Sequence, residues 1–269
     1  NADNPLACYL GVSVIWLIVA TFQNVIMSHE IQISVESFPL VIISTAGLIL
    51  YYYGTLTAMK LGQVSIYYPI VRSSPIAIVI FSWFFLDVKY TNLTVIGIII
   101  IFIGAIMLQK SRLSFLGNTK ALCLAIMAMI GSAGYSISDA IAVQKIAPSV
   151  HLFYCYILVS FIFFFIFVFN NWNKKNTFNC LLHQWKLDQH KILSAGLISY
   201  SSYYLILVAF ELGADAAAVS AVRQASIPIS VLLAAYFLKE NETFRRLGWA
   251  SLIALGIIVL AGNDSSTFS

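Results

Sequence analysis

Two arginines lie inside otherwise apolar segments, at equivalent points of two similar stretches of the chain. Arg72 lies ten residues after Gly62, and Arg223 lies ten residues after Gly213. An ionisable side chain near the middle of a membrane costs roughly 2.5 to 3.5 kcal/mol of free energy on insertion scales, and the chain bears this cost at two positions. A guanidinium group offers fork-shaped donors to a carboxylate or a phosphate. The two arginines therefore predict a binding site for an anionic group.

A structural role for the arginines is the alternative. Pro75 and Pro228 follow them within two helical turns, and each proline leaves the carbonyl four residues earlier without its usual amide partner. An arginine can bond to such carbonyls or extend along its helix. Broken helices that line a cavity are also where membrane proteins place binding groups, so both roles stay open.

The other candidate residues are polar or aromatic. Asp139 is the only acidic residue well inside an apolar stretch, and it is suited either to pair with an arginine or to bind a coupling proton or cation. One aspartate against two arginines leaves a positive surplus, which favours a substrate with a carboxylate or phosphate. Tyrosines suit the wall of such a site, although tyrosines near helix ends also anchor helices at the membrane surface. The predicted substrate-binding residues are Arg72, Arg223, Asp139, Tyr52, Tyr203, Ser74, Gln224 and Tyr135.

Catalytic and metal-binding patterns are absent from the sequence. The four histidines, His29, His151, His183 and His190, lie at breaks or helix ends, where we expect them to be solvated. The four cysteines form no C-x-x-C or Cys/His ligand spacing, and the sequence has no phosphate-binding glycine loop, nucleophile elbow or H-E-x-x-H motif. We predict no enzyme activity, no metal and no cofactor.

The composition is that of an integral membrane protein. Of the 269 residues, 60% are hydrophobic and 10% charged, and the mean hydropathy is +0.89. A spanning helix needs about 20 largely apolar residues, and runs such as 96–103 lack the alternation of a membrane β-strand. The sequence therefore predicts an all-α bundle with nine spanning helices, at 7–23, 39–60, 63–86, 93–109, 120–144, 150–170, 191–211, 215–238 and 245–262.

The positive charges indicate the orientation. The net charge is +4, and the breaks on one face receive eleven Lys and Arg residues whereas those on the other receive only Lys89 and Lys145. By the positive-inside rule the first face is cytoplasmic, with the amino terminus inside and the carboxyl terminus outside. We expect a multi-pass protein of the cell (inner) membrane, and we do not expect nucleic-acid binding.

The two halves of the chain repeat each other. Residues 51–97 align with residues 202–248 at a constant offset, and this alignment matches Arg72 with Arg223. We predict a first repeat at 1–112 and a second at 113–269. The second repeat has five helices and the first only four, so we expect its first helix to be missing from a truncated sequence that begins at Asn1. An odd number of helices per repeat makes the repeats inverted in the membrane.

The repeat resembles a known family. The stretches "LGQVSIYYPIVRSSPIAIVIFSWFFLDV" and "LGADAAAVSAVRQASIPISVLLAAYFLKE", each followed by a glycine-rich helix, resemble the EamA-type repeat of the drug/metabolite transporter superfamily. The first repeat departs from the pattern because Asp87 replaces Glu. The resemblance implies two inverted five-helix repeats and a secondary transporter that moves a small organic metabolite by alternating access.

Together with the arginines, the resemblance predicts an amino acid or another carboxylate as the cargo. A nucleotide or sugar phosphate is the second candidate. A lipid-headgroup flippase subunit or a non-transporting membrane partner of the same fold is the alternative. Glycines in the last helix of each repeat mark that helix as a packing surface or as the face of a homodimer; they are Gly97, Gly104, Gly248 and Gly256.

Overall fold

The computed structural model describes residues 5–61, 70–109, 119–171, 177–226, 229 and 243–261. Within these residues the regular structure is helical throughout, as the sequence predicted. The α-helices are α1 Pro5–Ile26, α2 Phe38–Leu61, α3 Ser74–Phe85, α4 Asn92–Gln109, α5 Thr119–Ala142, α6 Pro148–Asn170, α7 Thr177–Leu187, α8 Gln189–Glu211, α9 Ala216–Val222 and α10 Thr243–Ala261, and a 3₁₀-helix runs over Arg223–Ala225.

Five of the described helices are long and apolar enough to cross a membrane: α1, most of α2, α5, α6 and α8. Shorter apolar helices are Ser74–Phe85, Asn92–Gly104 and Gly248–Val259. Large apolar side chains such as Phe161 (61% exposed) and Ile198 (71% exposed) lie open on the surface, which fits contact with lipid tails. The spans predicted at 63–86 and 215–238 lie partly outside the described residues.

The chain divides into two compact units that differ from the predicted repeats. Unit 1 comprises Asn1–Ile49 and Ser138–Gly213, and unit 2 comprises Leu50–Ile137 and Ala214–Ser269. Helices α2 and α5 therefore contribute residues to both units. The predicted repeat boundary at 112/113 lies outside the described residues and stays a prediction.

Unit 1 is organised around α1, which packs against α6 and α8. Trp16 on α1 is 2% exposed, and its ring centroid lies 4.3 Å from that of Tyr156 on α6 and 5.4 Å from that of Tyr203 on α8. Its indole nitrogen donates a hydrogen bond to the Ser199 hydroxyl over 2.8 Å. A buried tryptophan needs such an acceptor because there is no water to supply one.

Helix α7 was not predicted from the sequence, which indicated a polar break over residues 171–190. It is an eleven-residue helix in which Phe178, Leu181, Leu182 and Trp185 recur at helical spacing. The Trp185 indole donates to the carbonyl of Ala7 over 2.8 Å, which fixes α7 against the start of α1. The segment is too short to span a membrane, so it lacks the run of about 20 apolar residues that indicates a spanning helix.

Small residues let the helices of unit 2 approach closely. Helix α4 packs against α10, and a Cβ atom added to Gly256 would lie 2.9 Å from the carbonyl oxygen of Gly97. A Cβ atom on Gly104 would lie 2.7 Å from a side-chain carbon of Ile253. Gly104 and Gly256 therefore serve the packing role predicted for these glycines, within one chain. Gly248 is exposed, and no described atom lies within 4 Å of an added Cβ.

We expect Gly256→Ala to lower the stability of the protein, because a methyl group between α4 and α10 forces the helix backbones apart. Overpacking of this kind costs about 1–3 kcal/mol. Gly248→Ala is the matched control, since its methyl group meets open space and alanine favours the helix by about 0.5–1 kcal/mol. Thermal unfolding of the detergent-purified variants measures both effects. A Gly256→Ala variant as stable as the parent would contradict the close packing of the two helices.

Candidate functional site

The chain leaves the α-helical path at Arg72. Residues 70–71 are helical, Arg72 and Ser73 form a turn, and α3 begins at Ser74. The Ser73 amide donates to the carbonyl of Ile70 over 3.0 Å, a bond that spans three residues instead of four. Pro75 in the first turn of α3 cannot supply an amide to the preceding turn, which accounts for the break. The arginine thus lies at a helix interruption, as the proline predicted.

An equivalent break occurs at Arg223. Helix α9 ends at Val222, and Arg223–Ala225 form a turn of 3₁₀-helix. Pro228, the predicted cause of this break, lies outside the described residues. The start of α9 is fixed by Asp215, whose carboxylate accepts a hydrogen bond from the Ala218 amide over 2.9 Å. Short 3₁₀ segments inside apolar helices often mark functional hinges. Arg223 begins such a segment, whereas Arg72 lies in a turn.

A side chain from a loop supports this helix start. The Tyr90 hydroxyl, between α3 and α4, donates to the Asp215 carboxylate over 3.4 Å. Burial, with the negative charge of Asp215 as a second cause, raises the pKa of Tyr90 to about 12. The hydroxyl therefore keeps its proton at physiological pH and remains a donor.

Both arginines line one small pocket of unit 2. Its volume is about 10 Å³, which is room for about one water molecule. The pocket is lined by Tyr51, Val71, Arg72, Ser74, Ser132, Tyr135, Ser220, Arg223 and Gln224. None of these described lining residues is acidic, so two guanidinium groups dominate the local charge.

Hydrogen bonds connect the two breaks across this pocket. The Gln224 amide nitrogen donates to the backbone carbonyl of Arg72 over 3.1 Å, and the Ser74 and Ser220 hydroxyls lie 3.3 Å apart. Arg223 donates from Nη1 to the Tyr135 hydroxyl over 3.3 Å. The second atom of the Gln224 amide, Oε1, is buried and has no hydrogen-bond partner among the described residues. Gln224, which lines the pocket with the two arginines, thus carries one acceptor without a partner among the described residues.

Tyr51 forms part of the pocket wall, where the sequence had predicted Tyr52. The Tyr51 ring lies 5.7 Å from the Tyr135 ring, measured between centroids, and 4.9 Å from the Tyr52 ring. Tyr52 therefore contacts Tyr51 and is not itself among the residues that line the pocket. Tyr51 was not among the predicted residues, and its counterpart in the repeat alignment is Ser202 and not a second tyrosine.

Asp139 lies in unit 1, in a cluster that the sequence did not reveal. Its carboxylate accepts hydrogen bonds from the hydroxyls of Ser44 and Tyr203, one on each oxygen. The Nε2 atom of His151 lies 2.8 Å from Oδ1 of the same carboxylate. The expectation that His151 is solvated was wrong, because both side chains are 1% exposed. His183 and His190 are exposed, and His29 is half-buried.

The structure thus brings together most of the predicted site residues in two groups. The first, in unit 2, contains Arg72, Arg223, Ser74, Gln224 and Tyr135, with Tyr52 alongside. The second, in unit 1, contains Asp139 and Tyr203, joined by a hydrogen bond. Two further tyrosines before Arg72, Tyr67 and Tyr68, lie outside the described residues. The binding role of all these residues stays a prediction.

These features define a multi-pass integral membrane protein whose apolar helices are interrupted at two equivalent, arginine-bearing points. The chain belongs to the EamA-like transporter family, whose model matches residues 6–109 and 119–262. It is therefore a membrane transporter of the drug/metabolite type, and the members of this family are transporters and not enzymes. Its substrate is a small molecule, as the family implies.

A solved structure titled only "Crystal structure of protein" has a similar fold. It superposes with a TM-score of 0.79 over 97% of this chain and 90% of its own chain, at 15% sequence identity. At this identity the likeness shows the fold alone. A search of curated proteins found no match to this chain.

We expect Tyr203→Phe to destabilise unit 1, because the ring remains while one donor to the buried carboxylate is lost. A hydrogen bond to a charged group contributes about 1.5–3 kcal/mol, so the thermal unfolding midpoint should fall by several degrees. Tyr204→Phe is the matched control, since Tyr204 stacks on Tyr200 at 6.3 Å and forms no hydrogen bond to Asp139. Equal midpoints for the two variants would show that the hydroxyl of Tyr203 contributes nothing.

Proposed function

We propose that this transporter carries a small anionic metabolite, an amino acid or another carboxylate, by alternating access. The anionic group binds between Arg72 and Arg223. The observation that carries this proposal is the common pocket of the two arginines, which come from equivalent breaks and meet no acidic lining residue. A carboxylate in such a place gains charge-assisted hydrogen bonds from two guanidinium groups and neutralises part of their charge.

The open acceptor on Gln224 favours an amino acid over a simple carboxylate. Oε1 of Gln224 is buried without a partner, and an unsatisfied buried acceptor costs about 1–3 kcal/mol. An ammonium group next to the bound carboxylate supplies the missing donor. Phosphates and simple dicarboxylates lack a donor of this kind, so they satisfy the arginines and leave Gln224 open.

The size of the pocket requires movement. A space of about 10 Å³ holds a water molecule and no metabolite, so the substrate enters only when the pocket widens. The turn at Arg72 and the 3₁₀ segment at Arg223 are suitable points for this, because short irregular segments absorb changes in backbone angle more easily than continuous helix. Alternating access in transporters with inverted repeats moves such segments around a central site.

The arginine variants test the substrate class. We expect a carboxylate amino acid such as glutamate to raise the thermal stability of the parent protein, and Arg72→Gln and Arg223→Gln each to weaken binding at least tenfold. Loss of a charge-assisted hydrogen bond of about 1.5–3 kcal/mol gives this factor. A thermal-shift titration with amino acids, dicarboxylates, nucleotides and sugar phosphates measures it, because a ligand at a hundredfold excess stabilises by about 2.7 kcal/mol.

Lys60→Gln is the control for loss of positive charge elsewhere, since Lys60 is exposed in the last turn of α2. If no anion stabilises the parent, or if both arginine variants respond like the parent, the arginines are structural and the cargo is neutral or cationic. Stabilisation by glycerol phosphate and anionic lipid, with no uptake of labelled soluble solutes into proteoliposomes, would favour a lipid-headgroup flippase subunit instead.

Gln224→Met tests the assignment of the ammonium group. Methionine keeps the length of the side chain and removes its acceptor, so affinity for glutamate should fall about tenfold, the equivalent of 1.4 kcal/mol. Affinity for glutarate, which is glutamate without its ammonium group, should stay the same. Paired thermal-shift titrations with the two ligands provide the comparison. An equal loss for both would mean that Gln224 acts only by holding the carbonyl of Arg72.

A further inference from the structure

The Asp139 cluster in unit 1 joins four helices through one buried carboxylate. Ser44 lies on α2, Asp139 on α5, His151 on α6 and Tyr203 on α8. All four side chains are less than 10% exposed. An ionised carboxylate only accepts hydrogen bonds, and this one has three donor groups around it.

This arrangement decides between the two roles that the sequence left open for Asp139 as a coupling site. A bound cation would need the lone pairs of several oxygen atoms pointing inwards. Here the hydroxyls of Ser44 and Tyr203 direct their hydrogens at the carboxylate and occupy both of its oxygens. The cluster is therefore unsuited to a metal cation. A proton is the ion that it can bind and release.

His151 provides the place for that proton. Its Nε2 atom bonds to Asp139, while Nδ1 is buried and has no hydrogen-bond partner among the described residues. With Nδ1 unprotonated, the ring is neutral and the pair carries one negative charge. When Nδ1 binds a proton from water, the pair becomes an ion pair with no net charge. Isolated buried charge is costly, so uptake of one proton changes the electrostatics of the site without leaving charge unbalanced.

Other ionisable groups near the pair are few in the part of the chain that the structure describes. Cys155 on α6 places its sulfur 3.6 Å from His151 Nε2, and Tyr203 on α8 faces Asp139. His29, after α1, reaches α6 at the Ser149 hydroxyl over 2.9 Å, two residues before His151. Helix α2 contacts the pair through Ser44, whose hydroxyl group does not titrate in the physiological pH range.

We propose that the Asp139–His151 pair is a proton-binding site through which a proton gradient drives transport; the coupling rests on the proposed function, whereas the proton site does not. Gain or loss of the proton alters the charge of a group bonded to four helices. A change at such a junction shifts the balance between helix arrangements, which is what coupling of an ion to alternating access requires.

Nuclear magnetic resonance of ¹⁵N-histidine-labelled protein in lipid nanodiscs tests the proton site without any solute. The ring signals of His151 are assigned by their loss in His151→Gln, and are followed from about pH 5 to about pH 11, a range that covers both ordinary histidines and a histidine paired with a carboxylate. We expect the His151 ring to change charge in this range. In Asp139→Asn it should be neutral at pH values where it is charged in the parent, because the carboxylate no longer stabilises the imidazolium.

His29→Gln is the matched control, because it removes a histidine near α6 and leaves the pair intact; the His151 titration should be unchanged. A His151 ring that keeps one protonation state over the whole range, or that titrates identically in Asp139→Asn, would overturn the proton site.

Proteoliposomes test the coupling, with a ¹⁴C-labelled amino-acid mixture as the probe. We expect a pH gradient to raise accumulation in the parent, whereas His151→Gln accumulates no more with the gradient than without it. Accumulation in the parent that ignores the gradient would refute the coupling and leave the proton site standing. Absence of any uptake would instead count against the proposed function, and the solute-free titration would still decide the proton site.

Discussion

The absence of water from the membrane interior is the constraint on which this structure depends. Each polar group inside the bundle must find its partner within the protein, and an orphaned group costs several kcal/mol. Trp16 meets this demand through Ser199, and the carbonyl exposed by the break at Arg72 meets it through Gln224. Helices held in this way can be interrupted only where side chains replace the missing backbone bonds. The interruptions at the arginines are therefore stabilised parts of the fold. The carbonyl of Arg72 accepts a hydrogen bond from Gln224, and that of Arg223 accepts one from Ser226.

Gln224 shows how one side chain serves both stability and binding. Its nitrogen completes the backbone at the first break, although the residue itself lies in the second. Its oxygen has no hydrogen-bond partner among the described residues, and the residue lines the pocket of the two arginines. A structural role for the breaks and a binding role for the pocket are therefore compatible, because the same contact that ties the repeats together fixes the acceptor in place. In the proposed function, the ammonium group of an amino acid would donate the hydrogen bond that this oxygen lacks.

The sequence predicted what periodicity and repetition can encode. The length of the apolar runs predicted the helical membrane fold. The constant offset between the repeats matched Arg72 with Arg223, and the two residues line one pocket in the structure. The sequence did not predict the features that depend on contact between helices. Asp139 and His151 are twelve residues apart on different helices, so no spacing rule connects them, and a histidine at a helix start is usually solvated. Tyr51 was missed because the repeat has no tyrosine at the matching position. Helix α7 was missed because it is too short for a spanning segment.

In the transport cycle that we propose, the charges of the two groups are complementary. Moving one elementary charge across a membrane potential of 100 mV involves about 2.3 kcal/mol, so a monoanion entering a cell that is negative inside meets a large electrical barrier. Under the proposed mechanism, a monoanion bound by the arginines and one proton bound by the Asp139–His151 pair would cross together with no net charge. The electrical barrier then vanishes, and each unit of pH difference supplies about 1.4 kcal/mol, enough for roughly tenfold accumulation. The proposed proton site would thus balance the charge of a monoanion held at the proposed two-arginine site.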